Sequence, residues 1–334
     1  MKNETEDLPL ISVIIPVYNG EKYINQLYTY VNNQDYTNLE IIFINNNSID
    51  GTVDIINRLN ELDDRIILCN EYKQGAGAAR NRGVAISQGD YVTFFDIDDT
   101  YSNNKISMLY NVFKKHNSAE MVFGQIIAKY QNGKEYYPNY DTITSGLNIP
   151  PNLATNFLNF GVGAGPTTIL CRKDAFNSIG GFEEDMMIGE DVAFSFKMAV
   201  YHKVYFLPKV VTEYIKHPES TLASYKRKNP QLNFYYDQFK HFYLPYIYDN
   251  NLFLVSTQLK IIYQYCVKGL ISQSRIYNYS FFARIKYLYK ELKYLNKFGL
   301  SFCYFPFILI ASYSNQYLYR IMMKIFHIIK SYNY

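Results

Sequence analysis

The sequence predicts an α/β fold, in which a mostly parallel central sheet is flanked by helices and followed by a helical C-terminal region. In the first part of the chain, apolar β-branched runs alternate with segments of helical period, and short connections join them. After about Leu222, this alternation gives way to long segments rich in Tyr, Phe, Ile and Leu with interspersed Lys and Arg. We therefore expect a polar tail over residues 1–9, an α/β domain over residues 10–221 and a helical region over residues 222–334.

Strands and helices follow each other regularly at the start of the domain. Ile11–Val17 is a continuous apolar run, which is typical of a strand buried on both faces. The further predicted strands are Leu39–Asn45, residues 65–70 and residues 91–95, and the predicted helices are residues 21–33, 51–62 and 77–88. This order predicts a parallel sheet, and ligands bind such sheets outside the carboxyl ends of the strands.

Beyond Ser107 the alternation is less regular. A further strand, a long loop, a strand that leads into a short helix, and a longer helix are predicted over residues 119–130, 132–152, 167–173 and 189–202, in that order. Two separate segments, residues 203–208 and 210–221, complete the domain.

The composition limits the classes of function. The chain of 334 residues carries a formal net charge of +3, which is too small to indicate a nucleic-acid partner by itself. Its four cysteines, Cys69, Cys171, Cys266 and Cys303, are widely separated, so neither a zinc site nor a disulfide framework is indicated. The polar, acidic N-terminus does not have the pattern of a signal peptide. We therefore expect a cytoplasmic protein without a nucleic-acid partner.

The longest apolar stretch, Leu300–Tyr313, is shorter than the ~20 residues that a membrane-spanning helix needs, and it contains Pro306. A buried core helix is the favoured interpretation, and an interfacial membrane segment is the alternative. The neighbouring segments 284–297 and 319–330 mix basic and apolar residues. This mixture fits docking on an anionic membrane, but it also describes an ordinary surface helix.

Polar residues follow three of the predicted strands. Residues 16–20, 45–50 and 96–99 all lie at carboxyl ends, so we expect them to line one crevice. The third group contains three aspartates, and crowded carboxylates raise each other's pKa unless a cation or a hydrogen-bond donor compensates. A site for a hard cation with oxygen ligands and a solvated acidic turn are the two explanations.

Four segments carry a resemblance to a known family: PVYNGEKYI, EIIFINNNSIDGT, GAGAARNRGVAISQGDYVTFFDIDD and GGFEEDMMIGEDVAF. Their order and spacing closely resemble the successive motifs of the family-two glycosyltransferases, from about Leu10 to Thr221. The resemblance implies the GT-A fold, with a Rossmann-like, mostly parallel sheet flanked by helices. It also implies an inverting enzyme that uses a nucleotide-diphosphate sugar as donor. The QxxRW string of processive relatives is absent from the sequence, which favours the transfer of one sugar per encounter.

The resemblance assigns the nucleotide base to the first two strand ends. Pro16, Tyr18 and Asn19 would contact the base, although core packing is an alternative for the Tyr18 ring. Asn46 takes the place of the family's carboxylate that accepts a hydrogen bond from uracil N3–H. An Asn carbonyl oxygen can accept the same bond without the charge, so uridine is favoured, while guanosine and thymidine stay open. An Asn-rich turn is the alternative explanation.

Two residues of the third predicted helix, Arg80 and Asn81, match the family's ARN string. A guanidinium at this position can contact a phosphate or the base. Gly75 and Gly77 would let the start of this helix pass close to the ligand, although loop flexibility explains them as well.

The acidic residues after the fourth strand match the family's DxD motif. Asp98 would be the leading ligand of Mg²⁺ or Mn²⁺ and Asp99 a second ligand, while Asp96 would contact the ribose or groups around the site. The cation would screen the carboxylates and stabilise the charge on the departing nucleoside diphosphate. His217 matches a position where some family members add a metal ligand, and a structural histidine is the alternative.

Glu190 and Asp191 match the family's ED motif at the start of a predicted helix. Asp191 would be the base that deprotonates the acceptor hydroxyl, and Glu190 would bind the acceptor or support the base. Simple capping is the alternative, because helix N-termini favour negative charge.

These implications define the expected function: a metal-dependent inverting glycosyltransferase that moves one sugar to a hydroxyl of a glycan or lipid-linked saccharide. The favoured donor is uridine-linked. The enzyme would build a surface polysaccharide, attached peripherally to anionic lipid at the inner face of the cytoplasmic membrane. One alternative is a catalytically silent nucleotide-sugar-binding or scaffold module. A nucleotidyltransferase is less favoured, because no Lys- and Gly-rich triphosphate loop follows the first strand.

Overall fold

The structure of the chain is a computed structural model. It describes residues 8–130, 132–160, 164–216, 238–249, 270–271, 280–298 and, nearer the C-terminus, 306, 308, 309 and 312. The chain divides into two compact units, residues 1–223 and 224–334. The predicted domain boundary after Thr221 lies outside the described residues and stays a prediction.

Within the described part of the first unit, the strands form one ten-stranded sheet. They are β1 (Ile11–Val17), β2 (Leu39–Asn45), β3 (Ile66–Asn70), β4 (Tyr91–Phe94), β5 (Thr100–Tyr101), β6 (Met121–Tyr130), β7 (Glu135–Tyr136), β8 (Gly146–Asn148), β9 (Ile169–Arg172) and β10 (Val204–Lys216). The strand order is β3-β2-β1-β4-β9-β6-β10-β5, with β7 paired to β6 and β8 paired to β10.

The part of the sheet built from β1 to β4 is parallel, as the sequence predicts. β2 is buried along its whole length and β1 along nearly all of it, which explains their continuous apolar sequences. Val17 pairs with Asn45, so β1 and β2 end side by side. The polar segments that follow them therefore leave the sheet at the same edge.

The other part of the sheet mixes strand directions. β9 runs antiparallel between β4 and β6, and β10 runs parallel to β6. The sequence predicts two separate segments where the structure has the single strand β10. Pro208, which has no N–H to donate, lies at the junction, and the register shifts there between Phe206 and Val210. The irregularity that divides the sequence pattern is therefore a bulge within one strand.

Five described helices of the first unit lie at predicted places, whereas the helices over residues 105–115 and 152–160 are not predicted from the sequence. Within its described residues, the helices of this unit are α1 (Ile24–Asn32), α2 (Thr52–Asn60), α3 (Ala76–Ile86), α4 (Lys105–Lys115), α5 (Asn152–Phe160), α6 (Lys173–Ser178) and α7 (Glu190–Tyr201). α1 begins later than predicted, because the Gly20 carbonyl first closes a turn by accepting from the N–H groups of Tyr23 and Ile24.

The prediction of a continuous loop over residues 132–152 is wrong. This segment contains the short strands β7 and β8 and reaches the start of α5. β7 forms a hairpin with β6 around Gly133, whose φ is 79°, and β8 pairs with β10. Strands of two or three residues exist only because a longer strand edge offers backbone partners, so no local sequence pattern marks them.

The helix α3 packs very close to the sheet at Gly83. A Cβ atom at Gly83 would overlap Cγ2 of Ile14, which is fully buried in β1. The absence of a side chain therefore sets the separation between the sheet and the helix that carries Arg80 and Asn81.

In the second unit, the described helices are a π-helical turn (Phe239–Tyr243), α8 (Leu244–Asp249), α9 (Phe281–Leu295) and a 3-10 turn (Asn296–Phe298). α9 buries one face of leucines and exposes three lysines on the other: Leu288, Leu292, Leu295, Lys286, Lys290 and Lys293. Among the described helices, none has the length and apolar character needed to cross a membrane. Only four residues of the apolar stretch Leu300–Tyr313 are described, so its interpretation stays a prediction.

Candidate active site

The loops that follow β1 and β2 hold each other through side-chain hydrogen bonds. Ser48 Oγ accepts from the Asn19 N–H at 3.0 Å, and Asn19 Oδ1 accepts from the Ile49 N–H at 2.9 Å. Thr52 Oγ1 accepts from the Gly20 N–H at 2.8 Å. Asn19, predicted to contact a base, thus links the two loops at a left-handed backbone position with φ 49°.

Two further residues predicted to contact the base lie at the end of β1. Pro16 is within the strand, paired with Ile44, and Tyr18 follows the strand. Tyr18 is 54% exposed, which excludes core packing as the explanation of this aromatic residue. An exposed ring at a carboxyl strand end is available to pack against a planar ligand.

The asparagine triplet, as we call Asn45, Asn46 and Asn47, connects the end of β2 to the segment that follows β3. Asn45 Nδ2 donates to Asn70 Oδ1 at 2.9 Å. Asn47 Nδ2 donates to the Tyr72 carbonyl at 3.0 Å. The triplet therefore fixes the segment after β3 against the neighbouring strand end.

Asn46 uses the whole hydrogen-bonding capacity of its amide inside the protein. Its Nδ2 donates to the carbonyls of Glu71 and Lys73, each at 2.8 Å. Its Oδ1 accepts from the Gly75 N–H at 2.8 Å and from Gln74 Nε2 at 3.3 Å. The residue is 3% exposed. A hydrogen bond from a nucleotide base to Oδ1 would compete with these contacts, and it stays a prediction.

The acidic turn, Asp96 to Asp99, follows β4. Asp99 is buried, and its Oδ1 accepts from the Ile215 N–H of β10 at 3.3 Å. Burial and the charges of Asp96 and Asp98 raise the pKa of the Asp99 carboxyl well above its usual range. An acidic turn wholly in water would not bury a carboxyl in this way. The turn is therefore a place that a cation would stabilise.

Lys105, at the start of α4, lies beside the acidic turn and is not predicted from the sequence. It is fully buried, and its Nζ donates to the Phe94 carbonyl at 3.0 Å. Nζ also lies 3.6 Å from the centroid of the Phe95 ring and 4.6 Å from that of Tyr101. Burial lowers the pKa of this ammonium group well below its usual range. A lysine at a helix start usually lies in solvent, so the sequence gives no signal for this placement.

Arg80 joins two acidic groups that are far apart in the sequence. Its Nη2 donates to Asp96 Oδ1 at 2.8 Å, and its Nη1 donates to Glu190 Oε1 at 3.1 Å. The Arg80 side chain is 5% exposed. Although burial opposes the charge, Asp96 and Glu190 raise the pKa of the guanidinium. The sequence predicts that Arg80 contacts a phosphate or the base; in the structure, its terminal nitrogens hold carboxylates.

Asn81, the neighbour of Arg80, fixes the segment that precedes α7. Its Nδ2 donates to the Phe182 carbonyl at 2.9 Å and to Glu184 Oε1 at 3.1 Å, while its Oδ1 accepts from the Phe182 N–H at 2.9 Å. Lys73 Nζ reaches the same segment, 3.1 Å from Glu184 and 2.9 Å from Asp185. The segment after β3 and the segment before α7 are therefore connected.

The acidic pair Glu190–Asp191 begins α7, after Gly189 in the left-handed region at φ 86°. Burial and the Asp191 charge raise the pKa of Glu190 to about 7, although the Arg80 guanidinium opposes this shift. Burial also raises the pKa of Asp191, whose Oδ1 accepts from the Val192 N–H at 2.8 Å. Carboxyls with raised pKa values in a cleft are suited to proton transfer near neutral pH.

Of the three metal ligands predicted from the sequence, the structure describes Asp98 and Asp99. Among the described residues, no group of three or more His, Cys, Asp or Glu side chains is arranged to hold a metal ion. His217, predicted as a ligand, lies outside the described residues. The assignments of Asp98 and Asp99 as ligands stay predictions.

Two relatives are each similar to about a third of the chain. An uncharacterised glycosyltransferase of Haemophilus influenzae is 42% identical over 119 residues, which cover 35% of this chain and 47% of that protein. A GalNAc(5)-diNAcBac-PP-undecaprenol beta-1,3-glucosyltransferase of Campylobacter jejuni is 34% identical over 122 residues, which cover 36% of this chain and 39% of that protein. The chain thus spans less than half the length of these relatives.

The solved structure of residues 1–349 of TarS from S. aureus, in complex with UDP-GlcNAc, resembles this chain with a TM-score of 0.61 at 18% identity. The likeness covers 90% of this chain and 87% of that chain. It confirms the predicted GT-A fold. The family model "Glycosyl transferase family 2" matches residues 12–180, a range that contains β2 to β4, all of β1 but its first residue, the acidic turn and Arg80. The chain therefore belongs to glycosyl transferase family 2.

Proposed function

We propose that this protein transfers one sugar, with inversion at the anomeric carbon, from a nucleotide-diphosphate sugar to a hydroxyl of a glycan or lipid-linked saccharide. The observation that carries the proposal is the Arg80 bridge, in which one buried guanidinium holds Asp96 at 2.8 Å and Glu190 at 3.1 Å. The bridge ties the acidic turn to the acidic pair. Inverting transfer needs two such groups together, because one must stabilise the charge on the diphosphate and the other must accept the proton of the acceptor hydroxyl.

The acidic turn fits a divalent cation, Mg²⁺ or Mn²⁺, with Asp98 and Asp99 as its ligands. Its donor atoms are carboxylate oxygens, which hard cations prefer, and Mg²⁺ is usually bound by one or two carboxylates together with substrate phosphates. The raised pKa of Asp99 supports this assignment, because a cation would relieve the repulsion from Asp96 and Asp98. When bound, the metal would stabilise the negative charge on the departing nucleoside diphosphate.

The acidic pair fits the acceptor side of the reaction. The acceptor hydroxyl must lose its proton as it attacks, and a buried carboxylate at hydrogen-bond distance is suited to take it. Asp191 is the proposed base. Glu190, which Arg80 holds in place, orients the acceptor or supports Asp191.

The relatives support the choice of substrates. TarS has been solved with UDP-GlcNAc, which supports a uridine-linked donor. The name of the Campylobacter jejuni relative describes an undecaprenol-linked saccharide. It supports a lipid-linked acceptor and, with it, a role in building a surface polysaccharide.

Donor hydrolysis and thermal unfolding together test the proposal against a catalytically silent nucleotide-sugar-binding module. The full chain is incubated with UDP-GlcNAc, UDP-glucose and GDP-mannose, with Mn²⁺ or with EDTA, and release of nucleoside diphosphate is measured. We expect slow, Mn²⁺-dependent hydrolysis of one donor. At about 100 times its Kd, the matching nucleoside diphosphate should stabilise the protein by about 2.7 kcal/mol. Stabilisation without any hydrolysis or transfer would favour the silent module. If neither stabilisation nor hydrolysis is observed, both functions are contradicted.

Peripheral attachment to an anionic membrane is the second part of the proposal. α9 exposes Lys286, Lys290 and Lys293, and its Phe282 is 81% exposed. Basic side chains beside an apolar ring suit a lipid surface, where each lysine contributes about 1 kcal/mol.

A flotation assay on liposomes that contain phosphatidylserine tests this attachment. Reversing all three lysines to Glu should release the protein, and high salt should do the same. The matched control reverses Lys115, Lys134 and Lys209, exposed lysines of the first unit, and should leave flotation largely intact. Wild-type protein that never floats would contradict the attachment.

A further inference from the structure

Asn46 occupies the position where the sequence predicts contact with the nucleotide base. In the structure, however, its side-chain amide forms its hydrogen bonds with other groups of the protein. Both amide hydrogens are donated to carbonyls of the segment after β3, at 2.8 Å to Glu71 and 2.8 Å to Lys73. Oδ1 accepts from the Gly75 N–H and from Gln74 Nε2. An amide has two N–H donors and two acceptor lone pairs, so these four contacts use all of them.

The segment held in this way, Glu71–Gly75, connects β3 to α3. It leaves the sheet at the carboxyl end of β3, beside the end of β2. Its last residue, Gly75, precedes α3, which carries Arg80. Its Lys73 reaches Glu184 on the segment before α7. One wall of the nucleotide crevice therefore takes its position from Asn46.

We propose that Asn46 is a positioning residue, which fixes the segment Glu71–Gly75 as a wall of the nucleotide site and does not read the base itself. This inference rests on the proposed function. It reverses the effect expected of a carboxylate at this position, because an Asp side chain only accepts hydrogen bonds at neutral pH. Asn46→Asp would place a buried negative charge against the carbonyls of Glu71 and Lys73 and leave both without a donor.

The experiment compares Asn46→Asp with Asn57→Asp in the full chain, with Mn²⁺ present. Asn57 undergoes the same chemical change at an exposed position of α2, outside the segment Glu71–Gly75. Calorimetry measures binding of UDP, GDP, CDP and dTDP, and hydrolysis of the nucleotide sugar that the wild type prefers gives KM and kcat.

For Asn46→Asp, we expect Kd and KM to rise about tenfold or more for every nucleotide, because the carbonyls of Glu71 and Lys73 lose their donor and the new carboxylate is buried against them. The preference among the four bases should stay within about threefold, and kcat at saturating donor should fall less than about threefold, because the acidic pair is unchanged. Asn57→Asp should change KM by less than about threefold. A general loss of structure would lower kcat as well, so the split between KM and kcat separates positioning from misfolding.

Gln74→Ala gives a second comparison. A positioning role and a base-reading role of Asn46 predict opposite changes in UDP affinity for this variant. It removes an exposed side chain, its 3.3 Å contact with Asn46 Oδ1 and the 3.2 Å bond that it accepts from Asn47 Nδ2. If Asn46 positions the wall, KM should rise by roughly two- to fivefold for all nucleotides. If Asn46 reads uracil, the freed lone pair should tighten UDP binding alone. If Asn46→Asp does not fold, Gln74→Ala still distinguishes the two roles of Asn46.

Selective tightening of UDP in Asn46→Asp or Gln74→Ala would overturn the inference and leave the proposed function intact. Unchanged binding of all four nucleotides in Asn46→Asp would overturn it as well. A wild-type chain that binds none of the four nucleoside diphosphates would overturn the proposed function and this inference with it.

Discussion

The acidic turn after β4 and the acidic pair at the start of α7 hold their negative charge in different ways. In the pair, Glu190 has the Arg80 guanidinium at 3.1 Å. In the turn, Asp96 has the same guanidinium at 2.8 Å. Asp99 has the backbone N–H of Ile215 at 3.3 Å and the charge of Lys105, but both Asp96 and Asp98 oppose its ionisation. Lys105 compensates weakly, because burial disfavours its own charge.

This difference suggests separate roles for two positive charges at the proposed site: the fixed Arg80 guanidinium and a divalent cation that binds with the donor. Arg80 neutralises part of the charge of both Glu190 and Asp96, and the acidic pair can still exchange a proton. At Asp99 the fixed compensation is weaker, so this part of the turn suits a cation that arrives with the diphosphate. The three predictions below test this division, and they are ordered from the largest expected effect to the smallest.

Asp98→Asn should cause the largest loss. If the turn binds a divalent cation, transfer should fall by about 10³-fold or more, since a Lewis acid supplies several kcal/mol of transition-state stabilisation. Product formation with Mn²⁺ and with EDTA is the measurement. Asp64→Asn, the same change at an exposed position, is the control for folding and assay. Near-normal, EDTA-resistant activity in Asp98→Asn would show that the turn is not a metal site.

Asp191→Asn should separate the acidic pair from the turn. The amide is nearly isosteric but takes up no proton, so transfer should fall by roughly 10²–10⁴-fold, while donor affinity stays within a few-fold. Calorimetry of nucleotide binding and a product assay on the same preparation give both values. Asp54→Asn, the same change at an exposed position in the first turn of α2, is the matched control. Equal losses of donor binding and turnover would instead assign Asp191 to the nucleotide site.

Glu190→Gln should have a smaller effect, on the pH dependence of stability. The pKa of Glu190 is raised from 4.5 to about 7, so the folded state binds its proton more tightly than the unfolded state does. The stability that this provides is fully present below pH 4.5 and is lost as the pH rises through about 7.

Urea unfolding across this pH window measures the change. In Glu190→Gln, the free energy of unfolding should fall less steeply with pH, by at most ~1.4 kcal/mol per pH unit for one proton. Parallel curves for the variant and the wild type would mean that Glu190 has no raised pKa, and the contrast between the two acidic sites would be lost.

Much of the fold could be predicted because its signals are local. Ile11–Val17 and Leu39–Asn45 are read from the sequence with the bounds that the structure has, since a strand buried on both faces needs an unbroken apolar run. β7 and β8 were missed because their existence depends on the edges of other strands. The positions of the polar segments after the predicted strands were also enough to predict that the ends of β1, β2 and β4 lie side by side.

The partners within the site could not be predicted in the same way. The family string names Arg80, but nothing near it indicates that Asp96 and Glu190 both bind its guanidinium. The burial of Lys105 and the four contacts of Asn46 depend equally on segments distant in sequence. Motifs identify which residues meet at a strand end, whereas the choice of hydrogen-bond partners is made by tertiary packing.

The close approach of α3 to β1 has a consequence for how mutational scans of this protein would be interpreted. By helix propensity alone, Gly83→Ala should gain up to ~1 kcal/mol. The added methyl group would overlap Ile14, however, and the helix would have to move away from the sheet. Arg80 lies one turn earlier on the same helix, and its 2.8 Å bond to Asp96 would stretch with that movement. Alanine at position 83 would therefore score as a loss of activity, and a residue that contacts no reacting group would be mistaken for a catalytic one.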